Sequence, residues 1–152
     1  MGLFDLFRKT QTIQDDFFGT LTFISFKDAG KNYFEGNGIF KPTGDEIEFL
    51  IRGDAGGPTQ EQRQLYAKIQ DSYDELVTVI VPLVESELKE WRTDNNKVRN
   101  FRKEFKLVSV EISRIGVAPA RWEMTFEAMQ EDEIQFTVDF KDFEPEKVLI
   151  DG

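Results

Sequence analysis

The feature that most constrains this chain is a pair of alternating segments in its C-terminal third. Trp122, Met124, Phe126 and Ala128 are interleaved with Arg121, Glu123, Thr125 and Glu127. Ile134, Phe136, Val138 and Phe140 are interleaved with Gln135, Thr137 and Asp139. Side chains on a strand point to alternate faces, so each segment is extended, with one dry face and one wet face. Gln130-Glu131-Asp132-Glu133 joins them as a hairpin. One apolar and one solvated face mark an antiparallel sheet, and the dry face must be covered by something else in the chain.

Further strands are legible upstream. Thr20-Leu21-Thr22-Phe23-Ile24-Ser25-Phe26 is rich in β-branched and aromatic residues. Asp28-Ala29-Gly30-Lys31-Asn32 is a turn, after which Tyr33 to Phe40 returns as a second strand. Gly36 and Gly38 within it point to a bulge or a close backbone approach. Pro42-Thr43-Gly44-Asp45 turns into a third strand, in which Ile47, Phe49 and Ile51 share a face. Val108, Val110 and Ile112 open the second set of strands, and Val148 and Ile150 suit a short last one.

The cover for the dry face lies between the two sets. Thr59-Gln60-Glu61-Gln62 is a capping box, with Thr59 as the cap and Gln62 reaching back. Apolar residues then recur at 65, 69, 73, 76, 80, 84, 88 and 91, steps that trace one helical stripe and place Trp91 at its end, in or at the edge of the core. Pro82 inside the stripe predicts a kink or a division into two helices, because proline lacks the backbone donor and crowds the preceding turn. Thr93-Asp94-Asn95-Asn96 is read as the stop. The expected fold is therefore α+β: antiparallel sheet in β-β-β-α-β-β-β order, with one long or kinked central helix over residues 58–92. Residues 15–152 form a single domain, a size that buries enough surface to hold without metal or disulfide. Residues 1–14 are read as an amphipathic tail, with Leu3, Leu6 and Phe7 on one side of a turn resting on the domain.

Composition narrows the chemistry. The 152 residues include no cysteine and no histidine. Thiolate nucleophiles, cysteine zinc sites and histidine-dependent serine triads are excluded, which leaves carboxylate, lysine, tyrosine and hydroxyl groups. The absence of cysteine fits a reducing cytoplasm. No apolar run approaches the length of a membrane span, and the N-terminus matches neither a secretion nor a myristoylation signal. A net charge of −10 repels phosphate backbones, so nucleic acid is not the expected partner.

The order of features carries a resemblance. Phe18-Gly19-Thr20-Leu21-Thr22-Phe23 opens the domain, a glycine-rich turn and long helix follow, and Leu107-Val108-Ser109-Val110-Glu111-Ile112 leads to a close on Val148-Leu149-Ile150-Asp151-Gly152. This resembles an uncharacterised bacterial family of the domain of unknown function 2262 type, over roughly residues 15–152. The first hairpin carries Tyr33-Phe34-Glu35-Gly36 in place of the Trp-Glu-Gly segment associated with that family. The resemblance implies a bacterial cytoplasmic setting and brings no catalytic residues with it.

Four features are candidate sites. Arg52-Gly53-Asp54 matches an adhesion tripeptide by chance. The glycine loop at 53–57 lacks the Lys-Ser/Thr end of a phosphate loop, although it precedes a helix start, where free N–H groups favour anions. Carboxylates gather at Glu131, Asp132 and Glu133, and at Asp139, Asp142, Glu144 and Glu146. These form a solvated acidic face or, alternatively, a hard-cation or hydrolase site. Lys97, Arg99, Arg102, Lys103 and Lys106, interleaved with Phe101 and Phe105, form the one basic segment, suited to an RNA patch, a lysine-guarded strand edge or a contact with an acidic protein. The residues singled out for binding are Trp91, Arg92, Lys97, Arg99 and Arg102, with Trp and Arg chosen as typical interface anchors. The reading that results is a non-enzymatic, immunity-like protein that binds a protein partner, with no cofactor. The alternative is a carboxylate-dependent metal binder or hydrolase.

Overall fold

The two alternating segments are neighbours in a sheet that runs through the whole chain. In the computed structural model, residues 8–92, 97–116, 119–129 and 133–151 are described. Eight strands are adjacent in sequence order: β1 (Arg8–Asp15), β2 (Gly19–Phe26), β3 (Tyr33–Phe40), β4 (Asp45–Arg52), β5 (Phe105–Ile112), β6 (Arg121–Ala128), β7 (Gln135–Lys141) and β8 (Glu144–Asp151). Between β4 and β5 lie α1 (Gln60–Asp71), α2 (Tyr73–Leu88) and the single turn α3 (Phe101–Glu104).

This corrects the expected β-β-β-α-β-β-β order with one long or kinked central helix in three respects. First, β1 was missed. Its sequence, Arg-Lys-Thr-Gln-Thr-Ile-Gln-Asp, has no apolar alternation, because an edge strand pairs through its backbone and needs little buried side chain. It nonetheless pairs with β2 from Arg8↔Phe26 to Asp15↔Gly19, so residues 8–14, assigned to a tail from the sequence, are strand. The turn that carries Leu3, Leu6 and Phe7 lies outside the described residues. Second, the sheet is mixed. β4 and β5 pair in parallel, Phe49 beside Val110 and Ile51 beside Ile112, since a helical crossover returns the chain to the end from which it left. Third, the long helix divides at Ser72 and not at Pro82. Ser72 departs from helical geometry at φ −102, ψ 11, whereas Pro82 lies inside α2 on an exposed position.

Packing follows from the stripe. Leu65, Ile69, Tyr73, Leu76, Ile80, Val84 and Leu88 are all buried and face Phe34, Phe40, Phe49, Phe126, Phe136 and Val138 of the sheet in one continuous core. Trp91 lies beyond the helix end and is 48% exposed, so it belongs neither to the core nor to its edge. Phe101 and Phe105 are buried instead, their rings 5.3 Å apart.

The capping box forms as read. Gln62 N–H donates to Thr59 Oγ1 at 3.2 Å and Thr59 N–H to Gln62 Oε1 at 3.0 Å. Gln62 is 1% exposed, and its Nε2 donates to the carbonyls of Arg52 (2.7 Å) and Ser113 (3.0 Å). One side chain thereby caps α1 and ties its start to the ends of β4 and β5. Gly36 marks a close approach: a Cβ there would stand 2.7 Å from Leu21 and 2.9 Å from the Thr20 carbonyl.

Candidate functional site

The turn between β1 and β2 is built around a buried carboxylate. Asp15 Oδ2 accepts from the backbone N–H groups of Phe17 (3.0 Å) and Phe18 (2.8 Å), and the carboxylate is paired with the Arg63 guanidinium from α1. Burial works to raise the Asp15 pKa, but the Arg63 bond, the two backbone donors and the Arg63 charge together hold it below its ordinary value. Gly19 closes the turn at φ +81, a left-handed conformation that glycine adopts without strain. The chain is thus fixed on both sides of two adjacent phenylalanines. Phe18 points into the core and Phe17 remains 44% exposed, its ring edge-on to Phe18 (4.9 Å) and to Tyr66 (6.0 Å).

Phe17 forms one rim of a cleft of about 430 Å³. Phe18, Phe49 and Tyr66 are among its walls, and Ile39, 59% exposed, also lines it. Gly38 brings the β3 backbone close to the Phe49 ring, where an added Cβ would stand at 2.8 Å. Asp16, Lys41 and Gln70 supply the polar groups, and Lys41 N–H donates to Gln70 Oε1 at 3.2 Å, joining the end of β3 to α1. A second depression of about 500 Å³ shares Phe17, Lys41 and Gln70 and continues past Pro42 to Tyr73, Asp74 and Arg102.

No family model, curated protein or solved structure matches this chain.

Of the residues chosen from the sequence, the groove takes in Arg102 alone. Its guanidinium donates to the Pro42 carbonyl at 2.9 Å, pairs with Asp74 and lies 5.2 Å from the Tyr73 ring centroid. Tyr73, 2% exposed, is pushed up to about 12, by burial first. Arg92 covers the Phe105 ring at 5.8 Å, and Arg99 is exposed, with its backbone N–H donating to Glu104 Oε2 at 2.9 Å. Lys97 is exposed, and it is exposed Trp91 that precedes Arg92. The basic segment is therefore spread over several contacts, and its two phenylalanines are buried where no base can stack on them.

The loop motifs are engaged internally. Arg52 pairs with Glu111 at 3.0 Å and Asp54 with Arg114 at 2.9 Å, and at the start of α1 the Thr59 and Gln62 N–H groups are taken by the capping box. Asp142 sits in a turn at φ +53, accepting from Ala120 N–H through Oδ1 (3.0 Å) and from Trp122 Nε1 through its carbonyl (2.6 Å). Glu146 pairs with Arg121 at 3.0 Å.

The open face of the sheet carries a row that the sequence did not reveal. Glu111, Glu123, Asp139 and Lys147 lie directly opposite one another on β5, β6, β7 and β8, beside a shallow pocket of about 210 Å³. Glu123 is pushed up to about 8, by burial first and then by the neighbouring Glu111 and Asp139 carboxylates. A carboxyl group that keeps its proton near neutrality between two others serves as a hydrogen-bond donor in the row. Among the described residues, no group of three or more acidic side chains is arranged to hold a metal ion, and no helix is long and apolar enough to cross a membrane.

Phe17 and Tyr66 were both missed. The available signal was Asp15-Asp16-Phe17-Phe18-Gly19: two adjacent large rings cannot both enter one core from a tight turn, and Asp beside Gly marks the turn.

Proposed function

We propose that this is a cytoplasmic protein that acts by binding a protein partner and catalyses no reaction, as immunity-type proteins do. A single observation carries the reading: Phe17 is a large apolar side chain held out of the core by the Asp15–Arg63 brace, lining a cleft together with exposed Ile39. A preorganised aromatic beside a pocket is the anatomy of a binding hot spot, because little side-chain freedom is lost on contact. The net charge of −10 favours a basic partner, which long-range attraction would steer to the surface. It disfavours nucleic acid, in line with the burial of Phe101 and Phe105. The test is affinity capture from the native host with the wild-type chain, the Phe17→Ala/Ile39→Ala double variant and a Leu149→Ala control on the open face. One basic protein retained by wild type and control but lost by the double variant supports the reading. Equal retention by all three removes it.

A second reading, a carboxylate-dependent metal binder or hydrolase, is supported by the Glu111, Glu123 and Asp139 carboxylates standing in one row across β5, β6 and β7. Thermal melts with Ca²⁺, Mg²⁺ and Mn²⁺ test the metal form, since a ligand of the native state raises the midpoint. A flat response to all three ions would dismiss it.

A further inference from the structure

β1 stands at one end of the eight-stranded sheet and β8 at the other. The direction of the β1 backbone groups follows from its neighbour. Phe26 N–H donates to Asn32 Oδ1, and Asn32 immediately precedes β3. Phe26 therefore turns its backbone groups toward β3. Ile24 and Thr22 do the same, because alternate residues of a strand address opposite edges. Phe23 and Leu21 are left to address β1, where Gln11 and Ile13 stand opposite them. The N–H and C=O groups of Thr10, Thr12 and Gln14 consequently point away from the sheet. Among the described residues no backbone hydrogen bond engages them.

The two edges are unlike. β8 carries Pro145, the charged residues Glu144, Glu146, Lys147 and Asp151, and a register shift opposite Asp139 and Phe140. Proline, charge and irregular pairing are the usual guards against strand addition. β1 pairs from Arg8 to Asp15 without a shift, and Thr10-Gln11-Thr12-Ile13-Gln14 contains neither proline nor charge. Gln11, Thr12 and Gln14 are exposed. A regular edge without those guards is a template for another strand.

The sequence of β1 selects which strand. Its start is basic, Arg8-Lys9, and it ends on Asp15-Asp16. A second β1 laid antiparallel, with Thr12 on a two-fold axis, sets Thr10 opposite Gln14 and brings each basic start to the level of the other copy's acidic end. Asp15 is already paired with Arg63, which leaves Asp16 to meet that basic start. The same register matches outward residue with outward residue throughout, and Thr beside Thr is a favourable cross-strand pair. About six backbone hydrogen bonds would form between the copies. We infer that β1 is a dimerisation edge, at which two copies of this chain join β1 to β1 into one continuous sheet, an isologous contact that closes at two. The inference goes beyond the partner reading at the Phe17 cleft and does not require it.

Sedimentation equilibrium of the full chain at high micromolar concentration should give twice the 17.7 kDa of one copy. Thr12→Pro deletes an outward N–H and no bond to β2. It should remain folded by circular dichroism while the dimer dissociation constant rises at least about tenfold. Because the chain has no cysteine, single introduced thiols report one position each. Thr12→Cys should be joined to its twin by a short bismaleimide, since hydrogen-bonded antiparallel partners stand about 5.5 Å apart at Cα. Leu149→Cys, on the β8 edge, should not. A monomer at every concentration, assemblies larger than two, a dimer that Thr12→Pro leaves intact, or equal cross-linking from positions 12 and 149 would each overturn the edge. Should Thr12→Pro not fold, the paired cysteine variants decide the matter. The Phe17→Ala/Ile39→Ala chain should dimerise as wild type does. A dimer that captures no partner would therefore leave this inference standing and the partner reading fallen.

Discussion

Asp15 and Arg63, far apart in sequence, form the ion pair that fastens the β1–β2 turn to α1, with the Asp15 side chain only 3% exposed. Everything proposed for the cleft depends on that pair, because it holds Phe17 outward while Phe18 turns in. Removing the carboxylate leaves two backbone donors and a guanidinium without their acceptor. Asp15→Ala should therefore cost about 2–4 kcal/mol in urea unfolding. The pH dependence has a definite sign. Asp15 has a lowered pKa in the fold, so its contribution is full above the ordinary value of 3.8 and lost as acid protonates it. The gap between wild type and variant should be widest at neutral pH and close below pH 3.8.

Glu123 behaves in the opposite sense. Its folded pKa, near 8, lies above the ordinary 4.5, so the native state holds the proton more tightly than the unfolded chain. Its contribution is full below 4.5 and is lost as pH rises through 8. Glu123→Gln keeps the shape and a hydrogen-bond donor and removes the titration. The variant should match wild type near pH 5 and exceed it by about 1–2 kcal/mol at pH 9, a figure reduced for partial solvent screening. Paired denaturant melts at the two pH values measure this.

Gln62 and Thr59 separate two roles within one capping box. Thr59→Ala removes a cap and should cost about 1 kcal/mol. Gln62→Ala also strips donors from the carbonyls of Arg52 and Ser113, so its cost should be about 2–3 kcal/mol. Equal losses in chemical denaturation would mean that the link from α1 to β4 and β5 carries no stability.

Gly36 and Gly56 make a steric comparison. An alanine at 36 collides with Leu21 and the Thr20 carbonyl, whereas at 56 nothing lies within 4 Å. Gly36→Ala should cost about 1–3 kcal/mol, as overpacking does, and Gly56→Ala should lie within about 0.5 kcal/mol of wild type. Thermal melts of the two variants side by side check this.

The legible parts of the sequence were those where one residue's surroundings repeat along the chain. The alternation from Trp122 to Phe140 became β6 and β7, and Leu65 to Leu88 became the buried stripe. What escaped notice depends on partners distant in sequence. β1 is defined by the backbone of β2, and the parallel β4–β5 pairing by where the helices deliver the chain. The division at Ser72 went unread because the stripe continues across it in phase. The candidate site was less legible still. Local chemistry drew attention to Trp91, Arg92, Lys97, Arg99 and Arg102, whereas the cleft is assembled by Asp15 reaching Arg63 and by Tyr66 meeting Phe17, contacts that no local pattern encodes.

The most direct measurement replaces Phe17 with the photo-crosslinking residue p-benzoylphenylalanine and irradiates the chain inside its native host, with the same residue at Leu149 on the open face as the control. Binding through the braced rim predicts one discrete protein adduct from position 17, weakened in an Asp15→Ala background and missing from position 149. No adduct from position 17, or the same adduct from both positions, would contradict it.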